Sequence, residues 1–485
     1  MLNEAKRYLH NLRLALSGHP VTRMTASDYT GSSVARRLTL WSPGSSNVNA
    51  LASSHNESLR NRSRDLVRNN SWANEIKEEW VSNAVGTGIM PDFQHPDKQI
   101  RKILNEGWKR FVDECDADQR LDFYGLQCLA CGEIIEGGES LTRIRKRFDS
   151  DGYLSPIQLQ MLEPEHLPMW ENVAASNGNP IRLGIEFNKN IGYREAYHLY
   201  REHPGAGVTS ISINSSEITR VPAQFIVHAY RMIRSGQMRG EPWLSRTLAK
   251  LYQFDQFVDA TLGRQKLGAF MLGWTTSTAG VLADTAESVL NDETAPSGTK
   301  FGSIEPETIL ELRPGEDLKF FEQPEISTQY EQFVSSQLRE IFASAGMTLE
   351  QFDVSKVNYS SIRAGTLKYR RRCEQFQFQT LVFQFCRPIT NSWMDTFILS
   401  GAADKVADRL GVTRIKAADY SKNKDQYQLI EWRTNAQAWV DPVKEVTAEV
   451  MQIRAGLKPL SQAIRERGYD PTQVFEQYKQ DQELT

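Results

Sequence analysis

The apolar positions of this chain change period several times, and each change predicts an element. The clearest helical face lies at residues 328–345. Tyr330, Phe333, Val334, Leu338, Ile341, Phe342 and Ala345 fall three or four residues apart there. A longer helix is predicted over 360–385, with Ser360 or Ser361 as its cap. Between the two the pattern lapses into Gly346 and a polar run from Asp353 to Asn358. Upstream, residues 57–85 carry two helical faces, Leu59, Leu66 and Val67, then Trp72, Ile76, Trp80 and Val81. They break at Asn69–Asn70 and stop at Gly86 and Gly88. Residues 97–135 are helical too, with Ile103, Trp108 and Phe111 on one face and a second start at Asp122.

From Gly137 the period shortens towards two. Strands are expected at Leu141–Ile144 and 156–162, a hairpin over 186–201 turning near Asn190–Gly192, and a further strand over 219–230. Pro242 then opens a long helix to residue 272, with Leu244, Leu248, Leu251, Val258 and Leu262 on its face. After Gly273 the periodicity dissolves. Residues 277–300 are small and polar, and two short strands are expected around the turn at Pro314–Gly315. The remainder reads as more helix, strands at 414–416 and 424–432, and helices at 442–455, 458–467 and 471–483. Residues 1–56 have loop chemistry and read as an N-terminal arm.

With 485 residues the chain is long enough for two or three domain-sized units with a substantial core. Its formal net charge of −3 excludes a globally basic nucleic-acid binder, so any DNA contact must be local or weak. No apolar run reaches the ~18 residues of a membrane span, and the first residues lack the apolar centre of a signal peptide. Five cysteines fit free thiols in a reducing compartment.

Candidate chemistry is thin. Cys128 and Cys131 have a metal-ligand spacing with Cys115 nearby, but no second pair completes a site. His166 stands in Glu163-Pro-Glu-His without a companion motif, and His228 ends an apolar run as a core or edge group. Gly86-Thr-Gly88 follows a helix and lacks the lysine of a phosphate loop. No nucleophile elbow and no aspartate pair for two-metal chemistry is visible. The reading is therefore no enzyme, no cofactor and no metal. The basic runs Arg143–Arg147 and Lys368–Arg372 are expected on solvated or intersubunit faces.

Several short motifs recur in one order. They are Arg64-Asp-Leu-Val-Arg-Asn-Asn70, Val85-Gly-Thr-Gly-Ile-Met-Pro91, Leu162-Glu-Pro-Glu-His-Leu167, Gly184-Ile-Glu-Phe187, Ile226-Val-His228 and Arg234-Ser-Gly-Gln-Met-Arg-Gly-Glu-Pro-Trp-Leu244, then the loop opening into Tyr359-Ser-Ser-Ile-Arg-Ala364. Together they resemble the portal proteins of tailed bacteriophages, specifically the lambda type, over roughly residues 57–460. The resemblance implies an α+β portal fold. Its parts would be an arm (1–56), a mixed wing (57–241 and 361–440), long stem helices (242–272 and 326–346), a small α/β clip (273–325), a tunnel loop (347–360) and a helical crown (441–485).

It also implies a ring of twelve subunits at one capsid vertex of the virion, assembled in the host cytoplasm with capsid and scaffold proteins. Double-stranded DNA would pass through its channel during packaging and ejection, and the terminase motor, then head-completion and tail proteins, would dock on it. Twelve helices of about 10 Å diameter leave a bore of roughly 25–30 Å. The loop residues Gln351, Asp353, Val354, Ser355, Lys356, Val357, Asn358 and Tyr359 would line the narrowest part of the channel, and Leu244, Leu248, Phe333 and Leu338 would form the stem interface. Two rivals remain: a nucleic-acid enzyme, which would need a phosphate loop or carboxylate cluster, and another structural virion connector or capsid-associated protein without a channel.

Overall fold

A computed structural model describes residues 43–169, 172–206, 218–270, 273–277, 316–320, 328–348, 359–435 and 442–484. The chain divides into two compact units, Met1–Leu51 and Ala52–Thr485, and the second carries the fold. Helix α1 (Val48–Asn69) begins earlier than the expected end of the arm. Asn70 separates it from α2 (Ser71–Ala84) because its extended backbone lets its side chain accept from the Ala73 amide. Strand β1 (Met90–Phe93) leads into α3 (Lys98–Glu114) and α4 (Phe123–Glu136), capped by Asp97 and Asp122.

The β-rich region forms two antiparallel sheets. Strands β2 (Glu139–Lys146) and β3 (Ile157–Leu162) belong to the first. Strands β4 (Asn172–Ala174), β5 (Pro180–Arg182), β6 (Ile185–Phe187), β7 (Arg194–Tyr200) and β8 (Ile218–Pro222) make the second in sequence order. Strand β9 (Ile226–Tyr230) returns to the first, which runs β3-β2-β9. The single strand expected over 219–230 is thus two strands in two sheets. Pro222 and the 3₁₀ turn Ala223–Phe225 break it, since proline has no N–H for a ladder.

The long helix expected from Pro242 opens with a 3₁₀ turn, Trp243–Arg246, and becomes α5 (Leu248–Phe270). Strand β10 (Gly273–Ser277) pairs antiparallel with β11 (Glu316–Phe320), bringing together the segments that flank residues 278–315. The strand expected at 309–312 lies outside the described residues. Helix α6 (Thr328–Ser344) returns.

After the loop, α7 (Tyr359–Phe376) runs through a π-helical stretch, Gln377–Cys386, into α8 (Arg387–Leu399). The predicted helix over 360–385 is therefore one part of a longer rod. Pro388 gives the reason for the wider turns: it cannot donate to the carbonyl of Gln384, and Arg387 N–H bonds Val382 five residues back. Helices α9 (Ala402–Leu410), α10 (Ala417–Lys422) and α11 (Lys424–Tyr427) follow, then β12 (Ile430–Arg433). Residues 414–416, expected as a strand, are irregular, and only the end of 424–432 is β, paired with β1. Helices α12 (Pro442–Arg454), α13 (Leu460–Glu466) and α14 (Pro471–Leu484) close the described chain.

One apolar core joins α1–α4 to the α7–α8 rod and the bases of α5 and α6. Its first aromatic knot is Trp80, with Trp243 at 4.8 Å and Tyr369 at 5.0 Å, edge to face. A second is Trp393, with Trp108 at 5.0 Å and Phe397 at 4.9 Å. Gly107 sits in the middle of α3 because a Cβ there would strike the Phe397 ring.

Candidate channel and assembly surfaces

Four of the recurring sequence motifs meet around one buried carboxylate. Glu139, at the start of β2, is fully buried and accepts from Arg60 Nη2 at 3.0 Å, Arg239 Nε at 2.9 Å, the Gly240 amide at 2.8 Å and His228 Nε2 at 3.0 Å. The Arg239 guanidinium donates onward to the carbonyls of Leu167 at 3.0 Å, Leu183 at 3.2 Å and Pro164 at 3.2 Å. Asn56 donates to the Gly240 carbonyl at 2.6 Å. A Cβ on Gly240 would strike the Gly138 carbonyl, so only glycine lets these two segments touch.

The knot ties α1, both sheets and the segment leading to the stem to a single point. Burial opposes the Glu139 charge, but Arg239, His228 and Arg60 together hold its carboxyl well below the usual range. Burial pushes His228 down to about 4, against the pull of Glu139. His228 is a satisfied core group, as its place at the end of an apolar run suggests. Neither Glu139 nor Arg239 was singled out by the sequence reading. The signal available was the pairing of Gly137–Gly138 with Gly240, beside two charged residues in otherwise buried segments.

The stem is built differently. Helices α5 and α6 meet through Leu251, Phe254, Leu338, Ile341 and Phe342 at their base, all buried. Further out, Phe257 packs against Phe333 at 5.2 Å and Tyr330 at 6.0 Å, and Lys250 pairs with Glu340. Three of the four residues expected at the subunit interface, Leu244, Leu248 and Leu338, lie inside the subunit's own core. Leu244 and Leu248 stand at the start of α5 and Leu338 near the end of α6, where both helices join the core that covers them. Phe333 is 46% exposed, and Phe257, Tyr252 and Leu262 are also exposed apolar residues of this hairpin.

The loop residues Gln351, Asp353, Val354, Ser355, Lys356, Val357 and Asn358 lie outside the described residues, and Tyr359 is the first residue of α7. The end of α6 that leads into the loop is anchored. Trp80 Nε1 donates to the Ala345 carbonyl at 3.1 Å, and Arg372 donates to the Gly346 carbonyl. Gly346 has φ +88°, with Trp80 Cζ2 3.2 Å from where a Cβ would stand, so the exit from α6 needs glycine. Tyr369 is buried and donates to the Glu79 carbonyl at 3.1 Å.

The thiols are structural. Cys115, Cys131, Cys373 and Cys386 are buried, Cys128 is half-buried, and all five are free. Burial pushes the Cys373 thiol up to about 12. Glu163, Glu165 and His203 do converge, a grouping invisible in sequence because His203 comes from beyond β7. Their chemistry is that of an ion-pair cluster. His203 Nδ1 accepts from the Gly205 amide at 2.9 Å, and its Nε2 lies 2.9 Å from a Glu163 carboxylate oxygen. Arg64 meets Glu165 at 2.7 Å.

Comparison with known proteins assigns the family. The model for phage portal proteins of the lambda family matches residues 35–377. The probable portal protein of Halomonas phage phiHAP-1 is 25% identical over 439 residues, covering 88% of this chain and 80% of its own. Portal protein B of Escherichia phage lambda is 21% identical over 488 residues, covering 92% and 87%. Among solved structures, a chain from the neck of an empty GTA particle computed with C6 symmetry aligns at TM-score 0.45 and 12% identity, over 86% of this chain and 94% of that one. The aromatic and polar knots above are thus the interior of a portal subunit: the chain belongs to the lambda family of phage portal proteins.

Proposed function

We propose that this portal protein closes into a ring of twelve subunits at one capsid vertex, with the stem hairpins side by side around a channel for double-stranded DNA. The observation that carries the reading is the exposed apolar strip of the stem, Tyr252, Phe257, Leu262 and Phe333, on a chain of this family. Such a strip on a helical hairpin needs a neighbour, and a face that meets a different face of the next copy generates a closed ring.

Within that ring, Gln351–Asn358 with Tyr359 lines the narrowest part of the channel. Its one acid, Asp353, and one base, Lys356, balance, so passing phosphates are touched without being held. Residues 273–325 form the tip that meets the terminase motor and later the head-completion proteins, and the capsid surrounds the wing. Anchoring of Ala345 and Gly346 at the loop's entry supports the channel role, because a loop that bears on moving DNA needs a rigid frame.

Negative-stain imaging of the purified protein tests the proposal. It should show rings of about a dozen subunits with an axial hole. Monomers or two-fold dimers at all concentrations would overturn it.

A further inference from the structure

A cleft of about 510 Å³ opens where the bases of α5 and α6 meet the α7 rod. Arg231, Arg246 and Arg372 line it, together with the amides of Gln375 and Gln379. Among the described residues no carboxylate lies on its wall, and none of the three arginines has an ion pair. Three cations in one cleft repel one another. Partial burial, then the charges of Arg246 and Arg372, lower the pKa of the Arg231 guanidinium. Arg231 also lies over the Trp243 ring at 5.0 Å, which fixes its direction. Exposed Met232 and Ile233 stand on the rim. Solvent-accessible arginines and methionine around a buried tryptophan have the composition of a protein interface. The cleft admits side chains; a duplex is too wide to enter it.

The same chain carries the complementary surface. The turn from Asp113 to Asp122 holds Asp113, Glu114, Asp116, Asp118 and Asp122 against Arg120 alone. Three of these carboxylates are occupied. Glu114 bonds Arg110 and the Leu154 amide, Asp116 takes three amides of its own turn, and Asp122 caps α4. Asp113 and Asp118 are exposed and have no ion pair among the described residues. One chain therefore presents cations without anions on one face and anions without cations on another.

We propose that the arginine cleft receives the Asp113–Asp122 turn of a second copy of this chain. Resting on the ring reading above, this makes an ion-paired contact between unlike faces of adjacent subunits. A contact between unlike faces is the kind that propagates around a ring, and opposite potentials set its register and suppress wrong dockings.

A charge swap tests it. Each of the double variants Arg231→Glu/Arg246→Glu and Asp113→Lys/Asp118→Lys should assemble poorly alone. Sedimentation velocity should show the concentration for half-assembly raised by about tenfold or more. Mixed one to one, the two variants can alternate around an even-numbered ring with every contact again complementary. Rings of both variants should then form at the wild-type concentration, which also demonstrates that both fold. Normal rings from either variant alone would overturn the proposal. So would failure of the mixture when circular dichroism shows both variants folded. A wild-type protein that forms no ring would instead overturn the ring reading itself.

Discussion

The knot around Glu139 and the stem hairpin solve opposite problems. In the knot the charged groups are matched within the subunit: one carboxylate accepts from four residues, and the arginine that answers it also donates to the carbonyls of four residues. Nothing is left for a neighbour. In the stem only the base is finished, and the outer part keeps Tyr252, Phe257, Leu262 and Phe333 in contact with water. The difference teaches where assembly acts. The knot's charged groups are matched by its own sequence, whereas the proposed ring would cover the exposed apolar residues of the two-helix hairpin with another copy.

The largest effect is expected in the knot. Glu139→Gln leaves Arg239 and much of Arg60 buried without a counter-charge, and breaking one partner of such a pair costs about 3–5 kcal/mol. Denaturant unfolding of the dissociated subunit should show that loss. A change below about 1 kcal/mol would mean that the knot is better hydrated than its burial indicates.

A smaller effect should appear with pH. His228 is held down to about 4 against an ordinary value of 6.5, so its folded form resists protonation. The stability this contributes is present above about pH 6.5 and is lost as pH falls towards 4. Glu133, raised to about 7 chiefly by burial, acts in the opposite sense, because the folded state binds its proton more readily than the unfolded one. The useful quantity is therefore the difference between wild type and His228→Gln. The variant should lose the downward slope between pH 6.5 and 4. Parallel profiles would remove His228 from the account.

Much of the helical framework was legible because apolar spacing and caps agreed: the break at Asn70, the start at Asp122 and the stem helix around Phe342 all follow from local signals. The strands were less so. Residues 219–230 read as one strand because β8 and β9 share composition, and only tertiary pairing sends them to different sheets. The π stretch was invisible, since its cause, Pro388, lies inside an otherwise helical pattern. Periodicity found Leu338 and Phe333 on a helical face without telling the buried side from the exposed one. The knot escaped because its members lie up to 184 residues apart in the chain, and no local pattern links Asn56 or Glu139 to Gly240.

The most direct measurement pairs two substitutions on one helix. Leu338→Asp places a charge in the core and should destabilise the subunit by about 3–5 kcal/mol. Phe333→Asp sits on the more exposed side and loses only its contact with Phe257, so it should destabilise the dissociated subunit by about 1–1.5 kcal/mol, well short of Leu338→Asp. In sedimentation velocity, Phe333→Asp should nevertheless run as folded subunits where the wild type runs as rings. Normal rings from Phe333→Asp, or unfolding as severe as that of Leu338→Asp, would contradict the claim that the stem is completed by its neighbour.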